Sequence, residues 1–140
     1  MNRFEEKIQN AVNLIHSNLR LDFVFLWMID NNWLILTGAG KDMRLMTKKK
    51  EISNGIAGSV FANKTYKVLW DLTPDEEMLP FSSFPFPDTH SVIALPIFYS
   101  TTVVGVLELG STIHCDFRED EIEVYKYLAD QIAEILLSRL

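Results

Sequence analysis

Apolar side chains recur at three- and four-residue spacing between Arg3 and Leu19, at Phe4, Ile8, Ala11, Val12, Ile15 and Leu19. That spacing predicts one amphipathic helix. The pattern then changes to a nearly unbroken β-prone run, Phe23 to Ile29. Asp30-Asn31-Asn32 follows, residues that tolerate a tight reversal, so the run is expected to pair with Trp33 to Thr37 as a hairpin whose first strand is buried. Gly38-Ala39-Gly40 and the basic residues after it read as a loop, and Met43 to Thr47 as a short strand. Asn54 to Ala62 reads as the capped start of a short helix built from small residues, followed by a strand, Tyr66 to Trp70.

Four of the five prolines, Pro74, Pro80, Pro85 and Pro87, fall between Asp71 and His90, interleaved with Phe81, Phe84 and Phe86. This predicts a long aromatic loop, and long structured loops are frequently functional. Strands are expected at Val92 to Phe98 and Val103 to Leu109. Pro96 in the first of these calls for an edge or a bulge, since it cannot donate to a ladder. A last helix is expected from Arg118 to Leu140, its acidic start favourable beside the positive helix end, with a core stripe at Ile122, Tyr125, Leu128, Ile132, Ile135 and Leu136. The order has no βαβ rhythm. It predicts an α+β class with a mainly antiparallel sheet and helices on one side.

With 140 residues the chain makes one domain, and at 48% hydrophobic and 23% charged residues it offsets chain entropy by apolar burial. Its one cysteine, Cys115, has no internal disulfide partner, and the opening residues are too charged for a signal peptide, so a reducing cytoplasmic setting is expected. Ser91 to Leu107 is uncharged, but Pro96 and Ser100-Thr101-Thr102 divide it into two β-rich halves, and no membrane span is expected. Asn63-Lys64-Thr65 fits a glycosylation acceptor, which has no use without a secretory route.

Net charge is −6 and uneven: residues 1–70 carry ten basic and six acidic side chains, residues 71–140 three and thirteen. The basic group Lys41, Arg44, Lys48, Lys49 and Lys50 lacks interleaved aromatics and any reading helix or strand. It is read as a solvated loop, and no nucleic-acid partner is expected.

Several segments together resemble a GAF domain, a small-molecule sensory module of signalling proteins. They are Gly55-Ile56-Ala57-Gly58-Ser59-Val60-Phe61, Tyr66 to Asp71, Ser91 to Ile97, Val104-Gly105-Val106-Leu107-Glu108-Leu109, and Phe117 with Leu128 to Ala133. The resemblance spans about residues 5 to 138. It implies a mainly antiparallel five- or six-stranded sheet, with the N- and C-terminal helices packed on one face and the short helix plus the long loop on the other. It also implies a ligand enclosed between sheet, short helix and loop. In this chain that places Trp27 or Trp33, Ile56, Ala57, Gly58, Trp70, Phe84, Phe86 and His90 near the cavity. The amides of Ile56, Ala57 and Gly58 at a helix start would suit a small anion or carboxylate. Family members that bind nitrate do so at the equivalent segment.

Other activities of the family do not fit the residues. Members that reduce free methionine sulfoxide use several cysteines, whereas Ile56 and Ala57 stand in the glycine segment here and Cys115 has no resolving partner. Bilin attachment uses a cysteine followed by histidine, and this chain has His114-Cys115. The Asn-Lys pair of cyclic-nucleotide binders is replaced by Gly110-Ser111. His16, His90 and His114 lack metal-ligand spacing, and His90 alone is a poor basis for haem, so no metal or cofactor is expected.

The expected function is therefore non-catalytic regulation. A ligand binds, and the terminal helices pass the change to a partner or effector domain. The last helix carries a second apolar set, Val124, Tyr127, Ala133 and Leu137, which predicts a homodimer through the terminal helices. The chain is read either as part of a longer signalling protein or as a stand-alone module. The competing reading is a docking or dimerisation module whose pocket is filled by its own Phe81, Phe84 and Phe86.

Overall fold

A computed structural model describes residues 3–40, 49–53, 55–70, 90–111 and 117–138. Helix α1 (Arg3–Leu19) leads into strands β1 (Phe23–Asp30), β2 (Trp33–Ala39) and β3 (Lys49–Glu51). Helix α2 (Gly55–Asn63) and strand β4 (Lys67–Leu69) follow, then β5 (Ser91–Tyr99), β6 (Thr102–Ser111) and α3 (Ile122–Leu137). The six strands form one sheet in the order β3-β2-β1-β6-β5-β4, with every neighbouring pair antiparallel. The two central strands, β1 and β6, come from opposite ends of the sequence and close the sheet around each other.

Alternation along β1 and β6 divides the core in two. Val24, Leu26, Leu107 and Leu109 point to one face and pack with Ile8, Val12 and Ile15 of α1 and Ile122, Tyr125, Ala129, Ile132 and Leu136 of α3. Phe23, Phe25, Trp27 and Val106 point to the other, where Ile56, Ala57 and Val60 of α2 cover them. Both long helices therefore lie on one face and the short helix on the other, as the family resemblance implies. The side chain of Gln9 on α1 fixes the end of β2. It donates to the Ala39 carbonyl at 2.5 Å and accepts from the Ala39 amide at 3.3 Å.

Several sequence expectations change once the strands pair. Gly38 and Ala39 belong to β2 rather than to a loop, and Lys49 and Lys50, expected in a solvated loop, lie in the edge strand Lys49–Glu51, in which Lys50 is buried. The expected strand at Met43 to Thr47 and the Asn54 cap lie outside the described residues. Between Leu26 and Trp27 the β1–β2 register shifts, Trp27 pairing Leu36 and Leu26 pairing Gly38. The extra residue, Thr37, resets the alternation so that Leu36 and Ala39 both reach the second core. Pro96 lies in an inner strand, but β4 pairs β5 only as far as Ala94, so the position has a strand neighbour on one side alone, Val106 of β6.

The last helix begins with a 3-10 turn at Glu119–Glu121 and becomes α-helical at Ile122. Its buried side includes Ala129 and Ala133, while Leu128 and Ile135 are only half-buried. Ala133 thus belongs to the core, not to the outer apolar set, because small side chains let α3 settle closely on the sheet. Val124 and Tyr127 are exposed, as is Leu14 of α1.

Candidate functional site

The α2-side face of the sheet holds an unusual concentration of rings around one acid. Along β1, Phe23 stacks on Phe25 with centroids 4.6 Å apart, and Phe25 meets Trp27 edge to face at 6.5 Å. Phe23 lies flat across Gly110 of β6, where an added Cβ would fall 2.1 Å from the ring. Glycine at that position is what allows the ring to lie there.

Glu108 of β6 sits between Phe25 on β1 and Ala94 on β5, and it is fully buried. Its Oε1 accepts a 2.7 Å hydrogen bond from the indole Nε1 of Trp27. Its Oε2 is buried and has no hydrogen-bond partner among the described residues. Unpaired buried oxygens are rare because each forfeits its hydration, a cost of about 1–3 kcal/mol and more for a charged group. A third group completes the constellation. Lys50 of β3 carries its Nζ over the Trp27 ring, 4.3 Å from the centroid. The same indole therefore holds a carboxyl group at its N–H edge and an ammonium against its face.

The residues expected from the sequence are only partly brought together. Ile56 and Ala57 are fully buried in this core, and Gly58 is buried in the same helix turn. Trp33 is not brought to this face. It alternates with Leu34, which points into the second core, and it remains 38% exposed with Lys49 Nζ over its ring at 4.2 Å. Trp70 is half exposed just beyond β4. His90 is half-buried at the start of β5, its amide donating to the Ser111 carbonyl at 2.7 Å. Phe84 and Phe86 lie outside the described residues. Sequence reasoning missed Phe23, Phe25, Lys50 and Glu108. The signal for Glu108 was present: an acid at an alternating position inside the apolar run Val103 to Leu109 points to the same side as Val106.

An open groove between α3 and the free edge of β5, lined by Tyr66, Leu95, Phe98 and Lys126, lies away from this constellation. There Lys126 already packs over the Tyr66 ring at 5.1 Å. Among the described residues no three His, Cys, Asp or Glu side chains are grouped to hold a metal ion. No described helix is long and apolar enough to cross a membrane.

The fold is widely shared. The GAF domain of a phosphoenolpyruvate-protein phosphotransferase from Acinetobacter superposes with a TM-score of 0.79 at 17% identity, covering 96% of this chain and 82% of that one. A type II free methionine-R-sulfoxide reductase from Thermoplasma acidophilum also gives 0.79 at 17% identity, over 99% and 96% of the two chains. A GAF domain/HD domain protein from Geobacter sulfurreducens gives 0.75 at 15% identity, over 97% and 93%. No curated protein matches the sequence. The family model for the GAF domain matches residues 3–136. With that match over nearly its whole length and a sheet flanked as described, the chain belongs to the GAF domain family of regulatory and sensory domains.

Proposed function

We propose that this GAF domain is a non-catalytic sensor that holds a small molecule on the α2-side face of its sheet and transmits occupancy through a homodimer formed by α1 and α3. The observation that carries the ligand reading is Glu108 Oε2, a buried acceptor with no hydrogen-bond partner among the described residues in an otherwise apolar, ring-lined core. A fold under selection for stability alone would place an apolar side chain there, since removing both members of a buried polar pair in favour of well-packed apolar groups is neutral or stabilising. Buried polar groups that weaken a core are a mark of sites where the core meets something else.

Catalysis has little support in the residues. The chain has one cysteine, Cys115, outside the described residues, and a thiol-exchange reductase needs a resolving partner. The likeness to the Thermoplasma reductase extends to the fold at 17% identity.

Thermal denaturation of protein purified without additives, across a panel of amines, amino acids, carboxylates and nitrate, tests the sensor reading. At least one class is expected to raise Tm by several degrees, since a ligand at a hundredfold its Kd adds about 2.7 kcal/mol. A flat response to the whole panel at millimolar concentration would sink it.

Self-association has its own support. Leu14, Val124 and Tyr127 are 62%, 53% and 60% exposed, and α1 and α3 lie in contact on the same face. Sedimentation is expected to show a dimer, and Val124→Glu with Tyr127→Glu is expected to give a folded monomer, because neither side chain contributes to the core. A wild-type monomer at high concentration would exclude the dimer.

A further inference from the structure

The groove between α3 and the bare end of β5 is separate from the α2-side face. We propose that it binds a small amphiphilic monoanion, a carboxylate carried on one aromatic ring or a short alkyl chain. The gap follows from the way the chain rounds the sheet edge. Helix α2 ends at Asn63, Lys64 turns in the left-handed region at φ 58° with its amide donating to the Val60 carbonyl at 2.9 Å, and β4 starts only at Lys67. Strand β4 therefore pairs β5 at Val92 to Ala94, and the edge from Leu95 to Tyr99 is left bare beside α3. Pro96 on that edge discourages an added strand, because it brings no amide to a ladder. The space suits a small molecule better than an extended peptide.

Size and lining set the ligand class. The groove holds about 280 Å³, just under the roughly 300–1,000 Å³ of sites for drug-sized ligands, which fits a single ring with a short substituent. Leu95 and Ala129, both buried, floor it, and Tyr66, Pro96 and Phe98 are its walls. Its charged groups are Lys64, Lys126 and Asp130, two cations against one anion in a chain whose net charge is −6. One negative charge on the ligand completes the balance. Lys64 has no ion pair among the described residues. Lys126 stands over the Tyr66 ring at 5.1 Å and meets Glu123 at 3.4 Å, but both side chains of that pair are exposed, and such surface pairs exchange partners at little cost. An amphiphilic anion gains twice here: its apolar body covers the floor, and its carboxylate meets an ammonium at the lip. A bare phosphate or nitrate would leave the floor uncovered.

The test follows the backbone amides of Thr65, Tyr66, Lys126 and Ala129 in 15N-labelled protein at constant pH and ionic strength. The probes are phenylacetate, its neutral amide phenylacetamide, and phenethylammonium. Phenylacetate is expected to shift these amides saturably with a Kd on the order of 1 mM, and the other two to bind about fivefold more weakly or not at all. Lys64→Gly and Lys126→Met are each expected to weaken phenylacetate about 3- to 10-fold. Both variants should fold, since glycine is unstrained at φ 58° and methionine keeps an apolar stem over Tyr66, and an undiminished Tm reports it. Equal affinity for phenylacetamide or phenethylammonium overturns the charge assignment, and so does phenylacetate binding that survives both substitutions together. Shifts that follow protein concentration without any probe put a second copy of the chain in the groove and overturn the proposal. Phenylacetate shifts confined to the Trp27 indole and α2 place the ligand on the other face, which overturns this site and supports the sensor reading above. Silence towards all three probes overturns this site alone, because the α2-side reading rests on different residues.

Discussion

Trp27→Ala is expected to lower stability by about 4 kcal/mol, the usual result of removing a buried aromatic side chain, with about 1–3 kcal/mol more for the orphaned Glu108 Oε1. The ring is fully buried, packs edge to face on Phe25, donates a 2.7 Å hydrogen bond to the Glu108 carboxyl group, and lies beneath Lys50. Typical domains have about 5–15 kcal/mol in total, so much of the population should be unfolded at 37 °C. Urea denaturation followed by far-UV circular dichroism measures the loss. Trp27→Phe keeps most of the packing and should lose only about 1–3 kcal/mol through the unpaired carboxyl oxygen. Adding Glu108→Leu to it should restore stability to the wild-type level or above, because no buried carboxyl oxygen is then left without a partner. A double variant less stable than Trp27→Phe would show that Glu108 stabilises the fold, and the argument that it is kept for a ligand would fail.

Gly58→Ala is the second large effect, expected at about 3 kcal/mol, towards the upper end for overpacking a filled interior. A Cβ at Gly58 would lie 2.5 Å from the Ile52 carbonyl oxygen and 2.7 Å from the Ser53 carbonyl carbon. Both are backbone atoms and cannot swing aside as a flexible side chain would. The helix must therefore lift from the strand end that precedes it, and Ile56, Ala57 and Val60 are withdrawn from Phe25 and Trp27. Thermal unfolding should show a fall in Tm of roughly 10 °C, at about 3–4 °C per kcal/mol for a chain of this size. A wild-type Tm would mean that the Ile52–Ser53 backbone gives way at little cost.

Where the chemistry is local, the amino-acid order was enough. The three- and four-residue spacing of Ile8, Val12 and Ile15 specified α1 and its buried side, and the Asn31 turn needed only a residue that tolerates the left-handed region, at φ 56°. The glycines of α2 announced a close approach, which Gly58 makes. Trp33 shows the limit. From the sequence, Trp27 and Trp33 were equally good wall residues, and the choice between them depends on which side of the sheet each strand position points. That side depends in turn on register: the hairpin pairs Asp30 with Trp33 and Trp27 with Leu36, so Leu34 and Leu36, not Trp33, share the face of Trp27.

The same reasoning explains Glu108 and Lys50. An acid in an apolar strand and a lysine in a basic cluster look unrelated at a separation of 58 positions along the chain. They become neighbours of one indole only because β1 is flanked by β2, which carries β3, and by β6. The order of residues by itself determined the class, the family and the helix faces, because periodicity and small-residue spacing act within a few residues of the chain. Which rings enclose the acid, and that one of its oxygens is left without a partner, was decided by strand order and register. Those arise from contacts between distant segments, and no local preference encodes them.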